Sequence, residues 1–552
     1  MAVAVSVAVL VAAAPLSAHG ITRSAGSHPA VRLAHHHPRV YRVGRWHGIR
    51  GNQPSLAAAI RKLRPGDWLL IGPGDHHPRM DYSRNQRRAE YPAAMNITVP
   101  HVHVRGMNRN RVIIDGTRRG SRPCSARPRD QDFGPRDSSG RHRGRNGIDA
   151  LRANGVYFEN FTVCNFLSGS ADSGNEIWWN GGDDGGKIGL GSWWGNYLSA
   201  TSTYYSRANP DSAAQYGLFV SNSRGPGSMR HTYASNFSDS GYYVGACPNC
   251  RAVIDRATSK YNALGYSGTN SGGHLVVEHS VFAHNKTGFV TNSQNSADAP
   301  SPQSGACPGN QTGFRGSNSC WIFRRNLVKD NNDPNVPAIG DAAIGPVGTG
   351  IVIAGGRFDT VAHNRFVHNG AWAILPTIFP DTGQESSDNV SNCHGGVAAA
   401  LLPATLGGQT VPCLFDAWGN RIFDNTFRGN GFYGNQTNGD IADLSIPPPE
   451  APGAPADCVG GNRAATGTVK TWPMLMATLQ ASCDNPAGYP DAASTAVLGA
   501  QVSCATQAFF SCPPLTIAHY PRLTNVVMHA LPRQPTMPDP CAGVPANPWC
   551  RR

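Results

Sequence analysis

The densest chemistry in this 552-residue chain lies in NEIWWNGGDDGGKIGLGSWWGN, residues 175–196. Asp183 and Asp184 are adjacent carboxylates followed by Lys187, with Asp172 and Glu176 just upstream. A carboxylate pair suits glycoside hydrolysis, with one group as acid and the other as base or nucleophile. A base beside a cation suits elimination from a uronic acid: the base takes the C5 proton, and the cation neutralises the carboxylate that makes this proton acidic. Trp178, Trp179, Trp193 and Trp194 bracket the acids, and tryptophan faces stack on the apolar C–H faces of sugar rings. On an extended strand adjacent side chains point to opposite faces, so one of each tryptophan pair is expected inward.

A second candidate is GYSGTNSGGHLVVEHS, 265–280, where small residues leave backbone open beside Tyr266, His274 and Glu278. Alternation puts His274, Val276 and Glu278 on one face and Leu275 and Val277 on the other. If the aliphatic pair fills a core, the titratable pair stands outside it. The expected site is therefore Asp183, Asp184, Lys187, His274 and Glu278 for catalysis, with Trp178, Trp179, Trp193, Trp194 and Tyr266 for substrate binding. NGGDDG matches a calcium loop only in part, and Asp-Gly turns explain it equally well. No metal or cofactor is assigned, and HHH at 35–37 and HVH at 101–103 are taken as incidental.

Internal repetition supplies the frame that must position these residues. Asn (once Ser) recurs with a second Asn five positions on at Asn160/Asn165, Ser280/Asn285, Asn326/Asn331, Asn364/Asn369 and Asn425/Asn430. Between these pairs, glycine-led strands begin at Gly217, Gly241, Gly265 and Gly288. That interval, with short alternating strands and Asn or Gly at the corners, fits one coil of a parallel β-solenoid. The asparagines are expected to take left-handed backbone at the turns and to bond the equivalent amide one coil away. Phe282, Phe366 and Phe427 are expected to stack inside the coil.

The entry segment SLAAAIRKLRPGDWLLIGPGDHHPRMDY, 55–82, followed by MNITVPHVHVRGMNRNRVIIDG, 95–116, resembles the opening of right-handed parallel β-helix proteins of the pectate-lyase-like class. The resemblance implies a cap helix over 54–63 and a turn at Pro65, Gly66 and Asp67. It covers roughly 52–446 and is specific for fold but not for chemistry, since the fold carries lyases, hydrolases, epimerases and binding proteins. The R-x-P-x-x-R of pectate lyases and the regularly spaced NTD, DD and GHG of polygalacturonases are not found.

The expected organisation is a signal peptide over 1–18, a basic segment over 19–51, and a solenoid over 52–446. Insertions interrupt the solenoid near 117–146, 167–215, 289–319 and 376–412. After it come a proline-rich break and a Cys-rich cap or small module over 447–552. Fourteen cysteines, an even number, suit an exported chain with oxidised thiols. Sequence neighbours suggest the pairs Cys124/Cys164, Cys247/Cys250, Cys307/Cys320 and Cys393/Cys413. The formal charge is +13, and residues 117–146 hold nine arginines against three aspartates. Such a stretch suits an anionic glycan, with a solvated, partly disordered loop as the alternative. The expectation is a secreted, monomeric β-helix protein that binds an anionic polysaccharide or cell-wall glycan, with cleavage as a lyase or hydrolase a further hypothesis, and with no nucleic-acid partner and no membrane insertion. A non-catalytic carbohydrate-binding or structural protein is the rival reading.

Overall fold

The computed structural model describes residues 37–79, 91–182, 188–247, 249–293, 320–381, 413–448, 452–479, 481, 488–506, 512–513 and 516–551, with the backbone of 397–398, 405–406 and 409–410. Among them, three parallel sheets of 11 strands each form a right-handed parallel β-helix. Sheet 1 runs from Val40–Val43 to Arg421–Phe423, sheet 2 from Gly74–His76 to Arg463–Ala464, and sheet 3 from Ala93–Asn96 to Thr471–Trp472. The chain passes from sheet 1 to 2 to 3 and then to the next coil. Helix α1 (Leu56–Ile60) caps the N-terminal end: Ser55 Oγ accepts from Ala58 N at 3.1 Å, and Leu56 and Ala59 are buried. Asp67, at the expected turn, accepts from the backbone N–H of Arg39 and Arg64 at 2.8 and 2.9 Å, holding the turn to the first strand.

Pairing extends further at both ends than the repeat pattern suggests. Val40–Val43, inside the stretch read as the basic segment, pairs with Trp68–Ile71, and Arg463–Ala464 and Thr471–Trp472 follow the proline-rich break. These strands are two to four residues long and lack the asparagine signature, so only their neighbours define them.

The asparagines form ladders, as their spacing predicts. At the corner between sheets 2 and 3, the N–H of Phe237 donates to Asn262 Oδ1, that of Asn262 to Asn285, then on to Asn331, Asn369 and Asn430, at 3.0–3.3 Å. Side-chain amides bond along the same line, and Asp440 terminates it. A parallel ladder of Ser280, Asn326, Asn364, Asn425 and Asn462 follows the corner between sheets 1 and 2. A third, at the corner between sheets 3 and 1, uses Asp359, Asn420 and Asp457. The left-handed seat belongs mostly to the residue before each rung: His279, His284, Arg325, Asp330, His363, His368 and Asp424 all have positive φ. Each rung is thereby turned inward, where it satisfies backbone that water cannot reach.

The inward faces fill one continuous core that includes Phe282, Phe366 and Phe427, the last two stacked at 5.4 Å. The glycine row has its own reason, since a Cβ at Gly265 or Gly288 would collide with the glycine carbonyl oxygen of the next coil. Cys124–Cys164 and Cys247–Cys250 are disulfides, as are Cys504–Cys512 and Cys541–Cys550 in the C-terminal cap. Cys307 and Cys393 lie outside the described residues.

Helix α2 (Met476–Leu479) is a single turn in the cap. Helix α3 (Ala492–Thr506) was not foreseen, because AASTAVLGAQVSCAT carries no charged face to mark it. It packs Leu498 and Ala505 in one cluster with Val352, Trp372, Leu375 and Ala442, covering the outer side of the last strands of sheet 3. Residues 516–551 then run back along the solenoid to its N-terminal end, where Trp549 Nε1 donates to Ile49 O at 3.0 Å.

The ladder predicts a specific stability effect. The Asn369 side chain accepts two hydrogen bonds from Asn331 and donates to Val328 O and Asn430 Oδ1. Asn369→Ala strands these buried groups and should cost about 3 kcal/mol, read as a lower urea midpoint. A loss within about 0.5 kcal/mol, the range of an ordinary surface change, contradicts this account.

Candidate functional site

The described long insertions flank sheet 3. Residues 116–145 and 202–215 lead into it and 181–192 lead out, while the turn between sheets 1 and 2 is only two residues long from Asn160 onward. The outer face of sheet 3 is therefore the floor of a walled surface. Register places Asp149, Trp178, Phe219, Tyr243 and Ser267 in one row across it. Trp178 stacks on Phe219 at 4.9 Å and 12°, and its Nε1 donates to Ser221 Oγ at 2.9 Å. Tyr216 stacks on Phe219 at 4.5 Å, and Tyr243 meets Phe219 edge-on at 4.8 Å. Tyr216, Phe219 and Tyr243 are half-buried, each presenting part of its ring outward. Tyr91 leans edge-on against Trp178.

The four tryptophans scatter over three environments. Trp179 and Trp193 are fully buried in the core, as alternation requires of one member of each pair, and neither offers a face to a ligand. Tyr266 is fully buried too, stacked on Phe289 at 4.2 Å, since its row is the inward one. Trp178 is on sheet 3, whereas Trp194 is on sheet 1, at the end of a ring stack of Trp68, His103 and Tyr157. Burial, with Arg105 nearby, pushes His103 down to about 4, so a neutral imidazole sits in that stack.

His274 and Glu278 are outside the core while Leu275 and Val277 fill it. His274, half-buried, has Nδ1 3.2 Å from Asn249 Oδ1, and Glu278 on sheet 1 pairs with Arg324 at 2.8 Å. Neither is on the sheet 3 floor. Asp183, Asp184 and Lys187 lie outside the described residues; the chain leaves sheet 3 at Asn180, two residues after Trp178, and bridges back at Leu190. Glu176 is interior: its Oε1 accepts from Phe166 N at 3.2 Å, and burial drives its carboxyl well above the usual range.

Two groups of potential metal donors occur among the described residues besides the disulfide cysteines. Asp255, Glu278 and His279 already face Arg230, Arg256 and Arg324. In the other, His77 lies 3.0 Å from Asp75 and 2.9 Å from Thr117 O, beside Asp115. The hydrogen bond to Asp75 raises the His77 pKa.

Sequence reasoning passed over Asp149. It faces outward in the floor row beside Trp178, is fully buried, and neither of its oxygens accepts a hydrogen bond. Burial pushes it up to about 8, the nearby Asn180 amide offsetting only part of this. Its position as the fourth residue of an insertion-led strand gave no pattern to read.

The basic loop is ordered. Cys124–Cys164 ties it to sheet 2, Asp115 accepts from Cys124 N, and Arg145 is buried on Asp132 and Gly116 O. Seven of its nine arginines, Arg119 and Arg122 among them, remain exposed.

Fold and surface together define an all-β right-handed parallel β-helix protein with an aromatic floor on one sheet. No protein-family model matches the sequence, and no curated protein does. Solved structures match the chain at low similarity. The A-module of the Azotobacter vinelandii mannuronan C-5 epimerase AlgE6 is 11% identical, over 75% of this chain and 89% of that one, with TM-score 0.40. The alginate lyase of Paenibacillus sp. str. FPU-7 is 12% identical over 63% and 92%, TM-score 0.30. Pectate lyase Pel9A is 13% identical over 82% of each chain, TM-score 0.32. Likenesses this distant carry nothing about chemistry. No helix among the described residues is long and apolar enough to cross a membrane.

Asp149 predicts a pH effect on stability. Its folded pKa lies above the ordinary value near 4, so the native state holds the proton more tightly and stability falls as pH rises from about 4 through about 8. Asp149→Asn should remove this loss and raise the melting temperature relative to the parent at pH 9 but not at pH 4. Equal shifts at both pH values contradict it.

Proposed function

We propose that this is an exported protein that binds an anionic polysaccharide on the outer face of sheet 3. The observation that carries the reading is the half-buried rings of Tyr216, Phe219 and Tyr243, stacked beside the buried Trp178 on a surface flanked by insertions. Such rings stack on sugars. The exposed arginines of residues 118–141 supply the attraction for a uronate or other acidic chain, and this part of the affinity is screened by salt. The disulfides fit an oxidising compartment.

Affinity electrophoresis in gels carrying a panel of uronate polymers tests this. Phe219→Ala with Tyr243→Ala should weaken retardation at least tenfold, whereas Trp194→Ala, on sheet 1, should leave it unchanged. Equal effects of the two changes, or no retardation by any polymer, count against the floor as the site.

Cleavage is a second reading, favoured by the position of Asp183, Asp184 and Lys187 in the segment that leaves sheet 3 directly after Trp178 and Asn180. If it holds, the protein releases unsaturated or reducing sugars, and Asp183→Asn with Asp184→Asn abolishes release while polymer binding and the melting temperature persist. Retained release removes the assignment to this pair.

A further inference from the structure

The C-terminal tail meets the solenoid in an unusual way. Residues 516–537 form no helix and pair in no sheet, and half of their side chains, Ile517, Leu523 and Val527 among them, are exposed. The solenoid holds the tail mainly by its backbone, with the Tyr520 ring beside Trp372 and Tyr433, His529 stacked on Tyr261 and Thr536 Oγ1 donating to Asn160 Oδ1 as side-chain contacts. Asn435 accepts from His519 N at 2.7 Å and donates to His519 O at 3.1 Å. Asn236 does the same to His529 at 3.1 and 2.7 Å, and Asn110 to Gln534 at 2.9 and 2.8 Å. Asn335 Oδ1 accepts from Thr524 N and Asn525 N, and Asn160 Oδ1 accepts from Met537 N at 2.8 Å.

These clamps sit on separate coils, first at the corner between sheets 2 and 3 and then at the corner between sheets 1 and 2. The tail therefore crosses sheet 2 obliquely, from the C-terminal coils toward the N-terminal ones. Beneath its end lies the buried Arg109, which donates to Pro535 O at 3.1 Å, His231 O at 2.9 Å and Ser199 Oγ at 2.7 Å. A guanidinium held by carbonyls rather than a carboxylate suits recognition of a neutral main chain. The tail's composition fits as well: Pro521, Pro532, Pro535, Pro538 and Pro540 favour an extended chain, and none occupies a position whose N–H a clamp requires.

The covalent connections matter equally. Cys541–Cys550 closes a loop within the tail, and its neighbours Val544 and Trp549 pack on Trp68 and Met107. No disulfide among the described residues joins 516–551 to the solenoid, and Cys504–Cys512 lies before it. Beyond its link through the chain before Thr516, the tail is held by reversible contacts alone.

We propose that the oblique seam across sheet 2 is a peptide-binding track. Its ligand class is an extended, proline-rich peptide read through its backbone, and residues 519–537 are its resident, exchangeable occupant. This stands apart from the glycan reading, which concerns sheet 3.

The test cuts the purified full chain at a protease site introduced after Pro513. The cut tail should co-elute with the solenoid in gel filtration and be displaced by excess synthetic peptide 516–551 carrying the Cys541–Cys550 bridge. Asn110→Ala with Asn435→Ala should speed its release at least tenfold, while Val527→Ala and Arg533→Ala, which alter exposed side chains, change it less than twofold. A peptide with Gln534→Pro, which deletes the N–H offered to Asn110 and leaves the solenoid untouched, should compete at least tenfold more weakly. Immediate loss of the cut tail, or equal competition by the Gln534→Pro peptide, overturns the proposal.

Discussion

Everything in this molecule depends on one coil stacking on the next in register. A strand in the middle of a solenoid has its backbone paired above and below, but each corner would leave N–H and C=O groups buried and unmatched. Unpaired groups of that kind cost on the order of 1–3 kcal/mol each. The ladders remove this cost corner by corner: a rung such as Asn331 takes the N–H of Asn285 below and passes its own to Asn369 above. Where a ladder ends, another group stands in, Asp440 at one end and, in an earlier coil, Glu176, bonded to Phe166 N.

The same stacking decides which side chains are free to work. Inward rows are claimed by the core, by glycines that let carbonyls approach, and by ladder amides, so chemistry is confined to outward rows and to corners that admit insertions. The corner between sheets 1 and 2, two residues long and occupied by a ladder, admits none of any length. Sheet 3 is flanked by the two corners that do, and its outward row carries the aromatic rings. Further along, α3 covers that face, so the half-buried rings are grouped in the earlier coils. Burial has its own signature here: Asp149 and Glu176 share raised carboxyl pKa values for the same reason, yet Asp149 faces the floor and Glu176 the core.

Distance along the chain is a poor guide to distance along a surface in such a fold. Trp178 and Trp194 are sixteen residues apart and lie on different sheets, whereas Asn236 and His529, nearly three hundred apart, exchange two hydrogen bonds. The aromatic residues that do gather on one face, Trp178, Phe219 and Tyr243, come from three successive coils and share no motif. The tail likewise shows nothing in sequence beyond its prolines, because its clamps are asparagines scattered from Asn110 to Asn435.

Periodicity determined the solenoid, its ladders and the inward fate of one tryptophan in each pair, because those features repeat at the coil interval or follow strand alternation; the cap helix with its Asp67 turn was legible only through the resemblance of the entry segment. Leu275 and Val277 against His274 and Glu278 were read from the same rule. Only the tertiary structure decided which sheet each outward residue occupies. It separated Trp194 and Glu278 from Trp178, placed Tyr266 in the core, brought Asp149 beside Trp178, and laid the tail across sheet 2. The physical reason is that alternation fixes inside against outside within a strand, while the choice among three outer faces is set by where each corner bends and by which coil lies next to it.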